Sequence, residues 1–244
     1  MGRPFGDITL YAPTPYSNDS PQYWEETSLH SYISDLYVRN MRGYKPPNAT
    51  RICIQPGFYG IWDRTWKNGS IFSIACEFSH DKYESLNTHG KYRYTLDIIQ
   101  EAMIQLSQEY NWDKSVFQNA YQEILTSNFV FSIDYPKKMS RDKRKLANLR
   151  VEKTETMTFA YVIIENDKSI KKIKLFEKRN SYWYDCVYTL VQHSKWLDSN
   201  KFGIFYSKAP LEIFYSIDEE RVFLLQSGAP VKEIEFSRFF WFQL

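Results

Sequence analysis

Four histidines, three cysteines and 29 acidic residues are the side chains from which this chain could assemble chemistry. The histidines are His30, His80, His89 and His193. No two of them are four residues apart and none stands near a cysteine at a metal-ligand spacing, so the sequence predicts no zinc or iron site. His80, Asp81 and His89 form a local cluster, and the polar residues around them read as a solvated loop. Cys53, Cys76 and Cys186 are odd in number, which does not make a disulfide framework. Cys76 alternates with Phe72, Ile74 and Phe78, and Cys186 shares a helical stripe with Leu190. Both read as small core residues rather than nucleophiles, and reduced thiols fit a reducing compartment.

Phosphate-cradling and nucleophile-elbow motifs are absent, and nine scattered glycines leave no glycine-rich loop. No cofactor is expected. Glu25 and Glu26 read as solvated charge, so an enzyme site would have to be assembled from dispersed residues.

Two charged stretches are the candidate partner-binding sites. Asp218, Glu219 and Glu220 form an acidic run suited to a basic protein target, such as the active-site rim of a nuclease toxin. Residues 137–153 carry eight lysines and arginines against Asp142 and Glu152, with Lys143, Arg144 and Lys145 at the centre. That run is the sequence's best nucleic-acid candidate, but no aromatic lies within it to stack on a base. Over the whole chain, 31 basic and 29 acidic residues leave a net charge of +2, which demands no polyanionic partner.

The elements that would position these residues follow from periodicity. A helix is predicted from about Gln22 to Met41, where Leu29, Tyr32, Ile33, Leu36 and Tyr37 recur at helical spacing. Ser20 with Pro21 behind it is a candidate start. Helices are also predicted over residues 94–110 and after Asp113, a good N-cap. Strands are predicted at residues 7–12, 51–55, 58–66 and 70–78, the last two joined by an Asn68-Gly69 turn. In the second half, residues 156–165 and 169–178 read as a hairpin around Asn166-Asp167-Lys168. A helix over 181–197 should lie across that hairpin. Short strands follow at 202–207, 211–217, 221–226 and 231–236, and no state is predicted for 237–244.

The fold class is therefore α+β: antiparallel sheets with β-hairpins, covered by amphipathic helices. The basic run suggests a division near residue 140, into residues 1–140 and 141–244, with one continuous domain as the alternative. Hydrophobic residues at 43% and charged residues at 25% make the chain globular, and 18% aromatics can fill a core or furnish a recognition surface. No apolar run approaches the ~18 residues of a membrane span. The first residues hold no apolar signal core, so the expected location is cytoplasmic. The function expected is a non-enzymatic binding protein that sequesters a protein partner, most concretely an immunity protein that inhibits a bacterial toxin. The alternatives are a nucleic-acid-associated protein using residues 137–153, and an enzyme with a dispersed site.

Overall fold

The computed structural model describes residues 6–11, 15–61, 63–180, 185–208, 210–232, 234 and 236. The chain forms two compact units, Met1–Val130 with Asn180–Tyr184, and Phe131–Arg179 with Asp185–Leu244. Its architecture is α+β, with hairpins and packing helices.

In the first unit a four-stranded sheet has β1 (Asp7–Leu10), β2 (Arg51–Ile54), β4 (Ile71–Ile74) and β3 (Thr65–Asn68) side by side in that order. β1, β2 and β4 run parallel, and only β3 pairs antiparallel. This departs from the antiparallel pairing predicted for these strands. Strands of four residues that are buried along nearly their whole length carry no alternation from which direction could be read. The crossover from β1 to β2 is helix α1 (Pro21–Asn40), whose Ser20 hydroxyl accepts from the Tyr23 amide and fixes its start. Of the segment predicted as a strand at 58–66, Phe58 ends a 3₁₀ turn (Pro56–Phe58), the described residues 59–61, 63 and 64 are not in a strand, and Thr65 and Trp66 begin β3, which turns at Asn68-Gly69 into β4 as predicted. Helices α2 (His80–Glu84), α3 (Thr88–Glu109) and α4 (Lys114–Thr126) complete the unit, with Asp113 capping α4.

The second unit holds two antiparallel sheets. One is β5 (Phe131–Asp134), β7 (Leu146–Lys153), β8 (Met157–Asn166) and β9 (Ser169–Arg179), with β6 (Lys138–Met139) pairing β7. The basic run 137–153 thus contributes β6 and β7 to a sheet, and β7 lies between β5 and β8. Alternation sorts its faces: Leu149, Val151, Ala160 and Val162 point to the core, while Arg150, Glu152, Phe159 and Tyr161 occupy the other face. The second sheet is β10 (Ser194–Trp196), β11 (Lys201–Tyr206), β12 (Leu211–Ser216), β13 (Arg221–Gln226) and β14 (Ala229–Pro230). The Trp196 indole donates to the Lys138 carbonyl at 2.9 Å and links the two sheets.

Helix α5 spans Val187–Gln192, shorter than the helix predicted over 181–197. Residues 181–184 lie outside the described residues, and at the other end Ser194–Trp196 pairs with β11 as a strand. Strand pairing at residues whose spacing is equally helical explains the difference. α5 packs on β11 and buries Val187, Leu190 and Val191, and Asp185 just before it bonds to Thr158 of β8 and Lys178 of β9. In the predicted strand 231–236, the described residues 231, 232, 234 and 236 are not in a strand, and 237–244 lie outside the described residues. Cys53, Cys76 and Cys186 are free and buried.

Gly203 has a packing reason. It faces Phe214 across β11–β12, and a Cβ there would stand 2.1 Å from the Ile213 carbonyl oxygen and 2.4 Å from the Phe214 Cα. Phe214 stacks between Phe205 and Phe223, at 5.8 and 5.1 Å between centroids. Gly203→Ala should force these strands apart and destabilise by about 1–3 kcal/mol. Leu190→Ala should leave a cavity beneath α5 and cost about 2–5 kcal/mol. Urea unfolding of both variants checks this. Unchanged midpoints would contradict the packing of β11 against α5 and β12.

Candidate functional site

The acidic and basic runs singled out from the sequence both lie in the second unit; Asp218, Glu219, Glu220 and Lys145 are engaged by close neighbours, and Lys143 and Arg144 are exposed. Asp218 accepts from the Asn200 amide at 2.8 Å, Glu219 pairs with Arg221 at 2.8 Å, and Glu220 pairs with Lys171 at 3.2 Å. In the turn before β7, Lys145 donates to the Ser199 carbonyl and the Asn200 side chain, both at 3.0 Å. Lys143 takes a positive φ of 59° at that turn, and the Arg144 amide is held by Asp142. Asn200 therefore bridges the two runs, one side-chain end to Lys145 and the other to Asp218. A basic patch with carboxylates bound beside it is a poor track for a polyanion.

Rings that could stack on bases are found elsewhere, on the outward face of the β10–β14 sheet. Phe205, Phe214 and Phe223 form the stacked row there, and Lys195, Lys201 and Arg221 lie over their faces at 5.4, 6.0 and 4.3 Å. Those ring faces are already occupied by the protein's own cations.

The residues most suited to chemistry gather in the first unit, where sequence reasoning placed solvated charge. Glu26 and His30 are four residues apart on α1 and so share a face. Ser79 caps α2, which puts His80 and Tyr83 on one face, three residues apart. The two faces meet. The Glu26 carboxylate is 3.7 Å from His80 Nε2, and the His30 and Tyr83 rings are 5.4 Å apart. Glu26 is 6% exposed, His30 2% and Tyr83 1%, which corrects the solvated reading of Glu26, while His80 is half-buried and Asp81 and His89 are exposed. His89 is not part of this cluster; it hydrogen-bonds Asn128 at 3.0 Å. Phe78 and Tyr94 wall the cluster, and Lys91 lies 4.6 Å over the Tyr83 ring. Among the described residues, His30 Nε2 and the Tyr83 hydroxyl have no hydrogen-bond partner.

Topology places this cluster at the carboxyl ends of the parallel strands. α1 begins after β1, and α2 begins five residues after β4. Open parallel sheets bind ligands at that edge. A carboxylate beside an imidazole, a second imidazole held neutral and a phenol are residue types of acid–base chemistry. Among the described residues, no group of His, Cys, Asp and Glu could hold a metal ion.

The same edge carries exposed apolar side chains. Trp24, in the first turns of α1, is 49% exposed. The loop after β2 presents Tyr59 at 48% and Ile61 at 71%. That loop runs from the end of β2 to the start of β3, which pairs with the end of β4, so it stays at the carboxyl edge. The sequence signal was the aromatic-rich run at 58–66, read as strand.

No protein family, curated protein or solved structure matches the chain. Among the described residues, no helix is long and apolar enough to cross a membrane.

His30 ties the cluster to acid stability. Burial, with help from Lys91 and His80, pushes its imidazole down to about 3. The unfolded chain takes up this proton near pH 6.5, and the folded chain does so only near 3. The neutral ring's contribution is thus complete above about pH 6.5 and is lost as pH falls towards 3. Stability of the wild type should therefore fall more steeply than that of His30→Gln between pH 6.5 and 4, by up to about 1.4 kcal/mol per pH unit. Equal slopes in urea titrations across that range would show that His30 does not titrate as its burial requires.

Proposed function

We propose that this chain is a binding protein that sequesters a protein partner, an immunity protein against a bacterial toxin being the most concrete instance. The observation that carries the reading is the exposure of Trp24 on α1 and of Tyr59 and Ile61 after β2, large apolar side chains left in solvent. Trp and Tyr are the residue types that most often anchor protein interfaces. Charge supports the same reading: the chain is near neutral at +2, and its acidic and basic runs are cross-linked to each other. The location that goes with the proposal is cytoplasmic.

A second reading is favoured by the Glu26, His30, His80 and Tyr83 cluster, whose residue types suit acid–base work on a small ligand. A thermal-shift screen of small metabolites separates the two, because a ligand of that cluster raises the melting temperature. The nucleic-acid reading predicts oligonucleotide retention that collapses as salt rises.

Affinity capture from the producing organism tests the main proposal. The wild type should retain a discrete protein. Retention should fall roughly tenfold or more when Trp24, Tyr59 and Ile61 are changed together to Ala. Capture of no protein, or undiminished capture by the triple variant, would overturn it.

A further inference from the structure

We propose that the free edge of β9 is a docking site where an extended, acidic segment of a protein partner adds to the sheet as one more strand. This rests on the protein-partner reading above. β9 ends the order β5-β7-β8-β9 and, among the described residues, pairs with β8 alone. Among the described residues, the backbone of residues 169–175 makes no hydrogen bond to any other strand. An antiparallel ladder leaves every second residue's N–H and C=O pointing away from the partner strand, so this edge offers a row of donors and acceptors.

Edges elsewhere in the unit are blunted by brevity or proline: β10 has three residues, and β14 has two, one of them Pro230. β9 has eleven residues with neither Pro nor Gly. Its register shift lies between Ala160 and Tyr161 of β8, past the exposed half. That half holds Lys171, Lys172 and Lys174, Lys168 stands in the turn before it, and no acid lies from 168 to 176.

Lysines on an edge ordinarily prevent self-pairing, because a second copy would set lysine against lysine. The same charge selects an acidic strand, whose glutamates would stand opposite the lysines with Cβ atoms about 4.5–5.5 Å apart. Lys171, Lys172 and Lys174 now pair with Glu220, Glu152 and Glu177. Exposed pairs of this kind contribute little and exchange readily for a partner's carboxylates. Ile170 sits among these lysines at 70% exposed. A purely protective edge has no use for it, whereas a docking strand uses it as an apolar anchor.

The test uses the full chain, with a peptide of alternating Glu and Val as probe. A Lys/Val peptide and oligothymidylate serve as comparisons. The Glu/Val peptide should bind and should slow amide hydrogen exchange within residues 169–175. Changing Lys171, Lys172 and Lys174 to Glu should weaken binding roughly tenfold or more, and Ile170→Ser should weaken it as well. All four side chains are exposed, so the variants should keep the wild-type melting temperature. Binding of the Lys/Val peptide as tightly, protection at other amides, or no binding would overturn the proposal. So would oligothymidylate binding alone without amide protection, which marks an anion patch instead of a strand site. Capture of a host protein that is indifferent to the charge reversal would sink this proposal and leave the protein-partner reading standing. Capture of no host protein would sink that reading, while the peptide result still decides the edge.

Discussion

The second unit is built around one buried carboxylate. Asp185 immediately precedes α5 and is fully out of solvent. Lys153 of β7 reaches it at 2.9 Å and Lys178 of β9 at 3.1 Å. The Thr158 hydroxyl of β8 donates to it at 3.2 Å, and so does the Val187 amide at 3.1 Å. Burial by itself would raise its pKa, but the two ammonium groups outweigh burial and hold it at about 2. Three adjacent strands and one helix are thus tied to a single side chain. Such an arrangement contributes little net stability over apolar packing, yet loss of one partner is costly because a buried charge is left uncompensated. What it provides is specificity of register. Lys153, Thr158 and Lys178 stand in line across β7, β8 and β9, and a one-residue slip would turn one of them to the opposite face.

That constraint has a consequence at the other end of the same hairpin. The ion cluster anchors the second half of β9, where Leu175, Phe176 and Lys178 are buried. The first half extends past it with lysines on both faces. A strand fixed at one end and bare along its outer edge at the other is preorganised. An incoming segment would meet a backbone already extended, and the ordering cost of association falls mainly on the partner.

Much of the helical part of the fold was legible because its signals are local. Leu29, Tyr32, Ile33, Leu36 and Tyr37 repeat at helical spacing, and Ser20 and Asp113 act as the caps their types suggest. What stayed hidden depends on residues distant in sequence. Parallel pairing of β1 with β2 requires the whole of α1 as crossover, and a run such as Ile52-Cys53-Ile54 reads alike in either direction. Ser194–Trp196 fits a helical stripe, but β11 recruits it as a strand. Glu26 was the least legible of all. A glutamate in the early turns of a helix is ordinarily solvated, and nothing local to it announces that His80 will close over it.

The partly buried and the exposed groups at the carboxyl edge of the first sheet therefore answer to different physics. Glu26, His30, His80 and Tyr83 are held by two helix faces whose spacing, four residues on α1 and three on α2, brings them into register. Glu26, His30 and Tyr83 are buried, so the cluster is costly to disturb. Trp24, Tyr59 and Ile61 have no such restraint, and exposed apolar area is a liability unless something covers it. The polar cluster sets where α1 and α2 sit, and thereby where Trp24 projects. If Trp24 anchors a partner as proposed, changes to Glu26 or His80 would weaken binding by displacing Trp24, without either residue touching the partner.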